Sequence, residues 1–230
     1  MKAQIIFFDI GYTLAFTGEV SVRRQIATKL QLSEKETKRV GRLIMTHSAE
    51  SPDHLLSEVS QSLPRLSKDW IHDVLTELWR QQTVSVREMP GAADLLVGLK
   101  ELGVKLGVIS NTWQPAYEGF RQNCPHLDAL MDFKVLSYQQ GCKKPGIELF
   151  ETALHQADCS PESCWMIGDS FELDLEPARR LGMRSLWVLV HPERERDILA
   201  EILRGEKPGP DLAVQQLDDI LPLFRQQRLL

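Results

Sequence analysis

Short apolar runs alternate with helix-like segments along most of this chain of 230 residues, and that alternation restricts its fold more than any other feature. The runs are Gln4 to Ile10, Val104 to Ser110, Phe133 to Ser137, Trp165 to Gly168 and Ser185 to Val190. All but the third are nearly continuous in apolar residues, as strands buried on both faces are. Between them, Gly91 to Leu102 sets Leu95, Leu96 and Leu99 on one side and stops at Gly103. Pro145 to Ala157 spaces Ile147, Phe150, Ala153 and Leu154 helically, and Leu173 to Leu181 ends at Gly182. Such alternation predicts an α/β fold with three layers, a mainly parallel sheet covered by helices on both faces.

One segment breaks the pattern. From residue 17 to residue 87 there is almost no strand-like run. Ser33-Glu34-Lys35-Glu36 reads as a capping box that opens a helix, and Pro52 to Leu63 forms another. A third starts at Ser67 and repeats Trp70, Ile71, Val74, Leu75, Leu78 and Trp79 as an amphipathic face. The expected division is therefore a core domain, residues 1–16 and 88–230, with an all-helical insertion at 17–87. The leucine-rich tail from Pro208 to Leu230 is expected to dock a last short strand and helix on the core. The amphipathic helices would serve a dimer as well as a self-packed segment, so the oligomeric state stays open.

Composition narrows the class of function. Hydrophobic residues are 43% and charged residues 26%, ordinary for a globular protein, and the net charge of −5 lacks the basic excess of a nucleic-acid binder. At the N-terminus only four apolar residues, Ile5 to Phe8, run together before Asp9, too few for a signal-peptide core. No apolar stretch approaches the roughly 20 residues that span a bilayer. The four cysteines form no C-x-x-C pair and read as reduced thiols of a cytoplasmic protein.

The chemistry gathers at the strand ends, where open α/β sheets bind ligands. Asp9 closes a very apolar run, an expensive place for an acid unless it is paired, hydrogen-bonded or metal-bound. Ser110-Asn111 ends the second run, Lys143-Lys144-Pro145 follows the third, and Gly168-Asp169-Ser170 ends the fourth, with Asp174 five residues beyond Asp169. An acid, a hydroxyl, a lysine and two further acids at one sheet edge are the parts that phosphoryl transfer needs: a nucleophile, phosphate donors and ligands for Mg²⁺.

In these pieces the chain resembles the haloacid dehalogenase-like (HAD) superfamily over essentially its whole length. Phe8-Asp9-Ile10-Gly11-Tyr12-Thr13-Leu14 matches the first motif, Ser110-Asn111 the second, Lys144-Pro145 the third, and Gly168-Asp169-Ser170 with Asp174 the fourth. The helical insertion lies where one subgroup carries its cap, between the first and second motifs. The resemblance implies a Rossmann-like core and a hydrolase. Asp9 would be the nucleophile, forming an aspartyl-phosphate that water cleaves. Ser110 and Asn111 would bind the phosphoryl group, and Lys144, rather than its neighbour Lys143, would neutralise it. Asp9, the Gly11 carbonyl and Asp169 would hold Mg²⁺, with Asp174 as a further ligand or a neighbour that orients the metal site.

One departure stands out. The family's phosphatases usually carry a second Asp two residues after the nucleophile, and here that residue is Gly11. The missing acid normally protonates the leaving oxygen, a contribution of roughly 10²–10⁴-fold. Three readings follow: a Mg²⁺-dependent phosphatase for a small phosphorylated metabolite, a catalytically weak or inactive phosphate-binding protein, and a 2-haloacid dehalogenase, whose halide leaves without a proton. Tyr12, Glu19 and His47 are candidate replacement donors. Trp113, just after the second motif, either lines the pocket mouth or simply packs, and Trp70 and Trp79 are expected in the core of the insertion. Arg179, Arg180 and Arg184 read as a solvated helix end, and the mixed-sign run Pro192 to Asp197 as a surface helix start.

Overall fold

The computed structural model describes residues 4–229. Met1 to Ala3 of the N-terminal stretch and Leu230 of the leucine-rich tail lie outside the described residues. The first strand, β1 (Ile5–Phe8), leads to the short strand β2 (Ala15–Phe16). Four helices follow, α1 (Val22–Lys29), α2 (Glu34–Thr46), α3 (Pro52–Ser62) and α4 (Lys68–Ser85), and then β3 (Arg87–Glu88), which pairs antiparallel with β2. The chain continues through α5 (Ala92–Glu101), β4 (Lys105–Ser110), α6 (Gln114–Asn123), α7 (Pro125–Ala129), β5 (Phe133–Leu136), α8 (Ser137–Gln140) and α9 (Glu148–Ala157). It ends with β6 (Cys164–Gly168), α10 (Glu176–Arg180), β7 (Arg184–Val188), α11 (Arg196–Leu203), β8 (Leu212–Val214) and α12 (Ile220–Gln226).

Six strands form one parallel sheet in the order β5-β4-β1-β6-β7-β8. The chain moves from β1 through β4 to β5 on one side, then returns to β6 on the other. The crevice at such a reversal, outside the carboxyl ends of the strands, is where open α/β sheets take their ligands. Strand side chains alternate between two apolar layers. Ile6 and Phe8 pack with Leu95, Leu96 and Leu99 of α5 and Phe224 of α12. Ile5 and Phe7 pack with Leu149, Phe150 and Ala153 of α9. The tail supplies β8 and α12, the expected last strand and helix.

The helices between β2 and β3 have their own apolar cluster, which includes Ile26, Ile44, Leu55, Val59, Ile71 and Leu78. Ser33 caps α2 as its spacing predicts: its side chain accepts from the Glu36 amide while the Glu36 carboxylate accepts from the Ser33 amide. Trp113 and Ala116, from the start of α6, are buried in the same cluster, so it is sealed against the sheet domain. Trp70 departs from expectation; at the start of α4 it is 38% exposed.

Several elements are shorter than their apolar runs. The first strand ends at Phe8, because the chain turns at Ile10-Gly11 and Leu14 and Ala15 donate back to the Ile10 carbonyl. The expected helix from Leu173 to Leu181 is a π-helical turn, Phe171–Leu175, followed by the short α10. Pro177 supplies no backbone N–H to continue a ladder, and the wider turn carries Asp174 inward. Arg179 and Arg184 are not simply solvated: Arg179 donates to the Pro208 carbonyl, and the Arg184 guanidinium lies 4.3 Å from the centroid of the Trp165 ring. No helix among the described residues is long and apolar enough to cross a membrane.

At Gly119, α6 lies close against the backbone of α4. A Cβ there would lie 2.7 Å from the Thr83 carbonyl oxygen and 2.8 Å from that of Gln82, both backbone atoms of α4. Backbone cannot yield as a side chain can, so Gly119→Ala is expected to overpack the joint and cost about 1–3 kcal/mol. Urea unfolding measures this, and an unchanged midpoint would show that the two helices separate freely.

Candidate active site

The polar residues predicted at the strand ends converge. Asp9 follows β1, and its amide donates to the Ile167 carbonyl on β6 (2.9 Å), which fixes its backbone between the two strands. Ser110 is the last residue of β4, Gly168 is the last of β6, and Asp169 follows it. Lys144 arrives from the loop between α8 and α9 and is only 1% exposed.

Its ammonium is the hub. Nζ donates to Asp9 Oδ1 (2.6 Å), Asp174 Oδ1 (2.5 Å) and the Ile109 carbonyl (2.9 Å), which uses all three protons. Lys143 does not take part; it is half-buried, and burial, with Arg23 and Arg42 nearby, lowers its pKa. Asn111 holds the backbone of Lys144 from both sides: its Nδ2 donates to the Lys144 carbonyl (2.9 Å) and its Oδ1 accepts from the Lys144 amide (2.8 Å). The Asn111 amide is thus occupied by Lys144, while the buried Ser110 hydroxyl, on the pocket wall, has no hydrogen-bond partner among the described residues.

Asp174 is as deeply buried as Lys144. Its Oδ2 accepts from the Ser170 amide (3.1 Å), so both oxygens are engaged. This approach requires a glycine beside it, since a Cβ on Gly168 would lie 2.4 Å from Asp174 Oδ2. Asp169 is different. Its backbone carbonyl accepts from Trp187 Nε1 (2.8 Å), but its carboxylate has no partner among the other described side chains. Oxygens of Asp9, Asp169 and Asp174 lie within 4.8 Å of one another.

Three acids so close cannot all ionise easily. Burial first, then the Asp174 and Asp9 charges, push the Asp169 pKa up to about 8. Burial raises Asp174 to about 6, against the pull of Lys144. Burial works against the Lys144 ammonium too, but Asp174 and Asp9 outweigh it and hold it above its ordinary value.

Around this cluster is a pocket of about 340 Å³, lined also by Gly11, Tyr12, Met45, Gln82, Trp113 and Glu195. Both readings of Trp113 are realised: it borders the pocket, yet it is buried, packs edge-on against Trp79 and donates to Gln82 Oε1 (3.3 Å). Of the candidate proton donors, Tyr12 lines the pocket but donates to the Gly18 carbonyl. Glu19 is exposed outside the pocket, and His47 pairs with Glu58 (3.2 Å). Sequence reasoning missed Arg194 and Glu195, which line the pocket from the loop after β7. Their mixed-charge surroundings resemble any solvated helix start; the one available signal was their place just beyond a strand's carboxyl end.

Comparison with known proteins gives this arrangement a family. Residues 6–188 match the haloacid dehalogenase-like hydrolases. The chain belongs to that family. This hydrolase is 30% identical to a glyceraldehyde 3-phosphate phosphatase of Methanothermobacter thermautotrophicus, over 95% of this chain and 96% of that one. In fold it is similar to a 2-haloacid dehalogenase of Pseudomonas syringae (TM-score 0.63, 16% identity, 98% of this chain and 99% of the other). It is also similar to a family enzyme of Bacteroides thetaiotaomicron solved with magnesium and inorganic phosphate (TM-score 0.59, 17% identity, 81% and 94%).

The raised carboxylates set a pH dependence. Between the ordinary carboxylate value and the raised ones, the folded hydrolase holds more protons than the unfolded chain, so stability falls as pH rises. In chelator, the thermal midpoint is therefore expected to drop as pH rises from about 5 to about 8, and Asp169→Asn to flatten that drop. An identical pH slope in the variant would show that Asp169 carries no such strain.

Proposed function

We propose that this hydrolase is a Mg²⁺-dependent phosphatase of a small phosphorylated metabolite, with Asp9 as its nucleophile. The observation that carries the reading is the hold of one buried ammonium on both Asp9 and Asp174, with Asp169 in the same carboxylate cluster. Asp9 Oδ1 is tied to Lys144, whereas Oδ2 has no hydrogen-bond partner among the described residues and is the oxygen placed to attack phosphorus. Lys144 offsets the charge that gathers on the transferring oxygens, and Ser110 donates to one of them. Asn111 serves binding indirectly, by keeping Lys144 in place. Water then cleaves the aspartyl-phosphate and frees Asp9.

The residues present fit a hard divalent cation, since the cluster offers only carboxylate oxygens. Asp9, Asp169 and the Gly11 carbonyl would hold Mg²⁺, with Asp174 bracing the group through Lys144 and the Ser170 amide. Bound there, Mg²⁺ supplies charge neutralisation between the phosphoryl group and the carboxylate that attacks it.

The pocket's size is that of a small-molecule site, at the low end of about 300–1,000 Å³. Thr17, Met45 and Gln82 line it from the segment 17–87, in keeping with a cap that shields the reaction from water and selects the substrate, while residues 1–16 and 88–230 form the catalytic core. The archaeal relative makes a three-carbon phosphate the first substrate to try. All four cysteines are unpaired, as a reducing cytoplasm leaves them.

A screen of phosphorylated metabolites with Mg²⁺ tests the reading. Phosphate release is expected from the wild type and at least about 10³-fold less from Asp9→Asn, which lacks the nucleophile. Equal release by both proteins, or none by either, overturns it, and metal-independent chloride release from 2-chloropropionate would favour a dehalogenase.

A further inference from the structure

Gly11 leaves the phosphatase reading without its usual proton donor, and the pocket wall offers one replacement. Four carboxyl groups line the pocket among the described residues: Asp9, Asp169, Asp174 and Glu195. Asp9 is committed to attack, Asp174 has both oxygens engaged, and Asp169 belongs to the cation cluster. Glu195 belongs to none of these. It is the residue before α11, half-buried, with Oε2 accepting from the Phe171 amide at 3.3 Å. Its Oε1 has no hydrogen-bond partner among the described residues. One oxygen is thus fixed to the backbone beside Asp169-Ser170 while the other is left for a proton. Burial raises its pKa against the pull of the Phe171 amide, with Glu172 adding to the rise, which favours the protonated form that a donor needs.

We infer that Glu195 is the general acid and base of this site, taking the part that an Asp at position 11 would play. The inference rests on the phosphatase reading. In the first step Asp9 Oδ2 forms a bond to phosphorus. The bond from phosphorus to the alkoxy oxygen breaks with its electron pair on oxygen, and the Glu195 carboxylic acid gives that oxygen its proton. In the second step the Glu195 carboxylate takes a proton from water as the water oxygen bonds to phosphorus. The bond to Asp9 breaks, Asp9 leaves as a carboxylate, and phosphate departs. One alkyl phosphate and one water become one alcohol and one phosphate, and Glu195 ends protonated as it began.

Space at Gly11 supplies a control. A Cβ there would meet only Asp9 Oδ2 at 3.7 Å and Thr17 Oγ1 at 3.8 Å, ordinary contacts, so a side chain can start at this position without a clash.

The test compares p-nitrophenyl phosphate, whose leaving group needs no proton, with glycerol 3-phosphate, whose alkoxide does. Both are used with Mg²⁺ and the full chain, in Glu195→Gln. Gln keeps an acceptor for the Phe171 amide, so the fold is expected to hold, and a wild-type-like thermal midpoint checks this. The variant is expected to keep a rapid burst of p-nitrophenolate, followed by slow turnover because water is no longer activated. On glycerol 3-phosphate its single-turnover rate should fall by about 10²–10⁴-fold. Adding Gly11→Asp to Glu195→Gln should restore the alkyl rate. An equal loss on the p-nitrophenyl burst and on the alkyl phosphate would reduce Glu195 to a structural role and overturn the assignment. So would an alkyl rate unchanged from wild type, or a Gly11→Asp, Glu195→Gln double variant as slow as the single one. If the wild type releases no p-nitrophenolate, either as a burst or by turnover, the phosphatase reading fails first, a result distinct from any difference between variants.

Discussion

The site depends on one buried ammonium. Lys144 and Asp174 are each only 1% exposed, and stripping water from either charge alone would cost several kcal/mol. They are tolerable only together, with Asp9 as the third member and the Ile109 carbonyl taking the last proton. Such a knot constrains its surroundings. Asn111 must lock the Lys144 backbone, Gly168 must lack a side chain, and the chain after Ser170 must open into a π-helical turn to bring Asp174 within reach. These features come from the ends of two strands, β4 and β6, and each is explained by the same ion cluster.

Much of this was legible in the sequence because it is one-dimensional. Strands buried on both faces write themselves as unbroken apolar runs, and a polar residue ending such a run, as at Asp9 or Ser110, marks the sheet's carboxyl edge. Ser33 and Glu36 announced a helix start through contacts three residues apart. What the sequence hid depends on contacts between distant segments. Asn111 looks like a substrate ligand until its amide is seen bonded to Lys144, 33 residues away. Trp113 belongs both to the pocket and to the core of the helical segment, and only the meeting of α4 with α6 makes those compatible. Glu195 sits in a run of mixed charge whose solvated and pocket-facing members share one local pattern.

The helical segment is joined to the sheet domain asymmetrically. Where α4 meets α6, Gly119 brings backbone against backbone, and Trp113 is buried among residues of the insertion. Residues on this side, Gln82 and Trp113, therefore have fixed positions in the pocket wall, and Gln82 itself is buried. With Gln82 and Trp113 packed together in one wall and polar groups anchored at the strand ends, the pocket can hold a ligand to a narrow range of poses.

Charge explains why the cluster has the composition it has. Three carboxylates and one ammonium sum to −2 when all are ionised, a potential that repels an anion from the cluster. The raised pKa values of Asp169 and Asp174 are a partial answer, since protons held there lower that charge. On the proposed reading, a divalent cation held by Asp9 and Asp169 would cancel more of that charge. An extra acid next to Asp9 would add to the charge that must be cancelled; Gly11 avoids it, and Glu195, held outside the cluster on Phe171, can carry a proton without joining that balance. On the proposed reading, a proton carrier kept apart from the carboxylate cluster would change its protonation during turnover while the charge that holds Lys144 and its partners together stays constant.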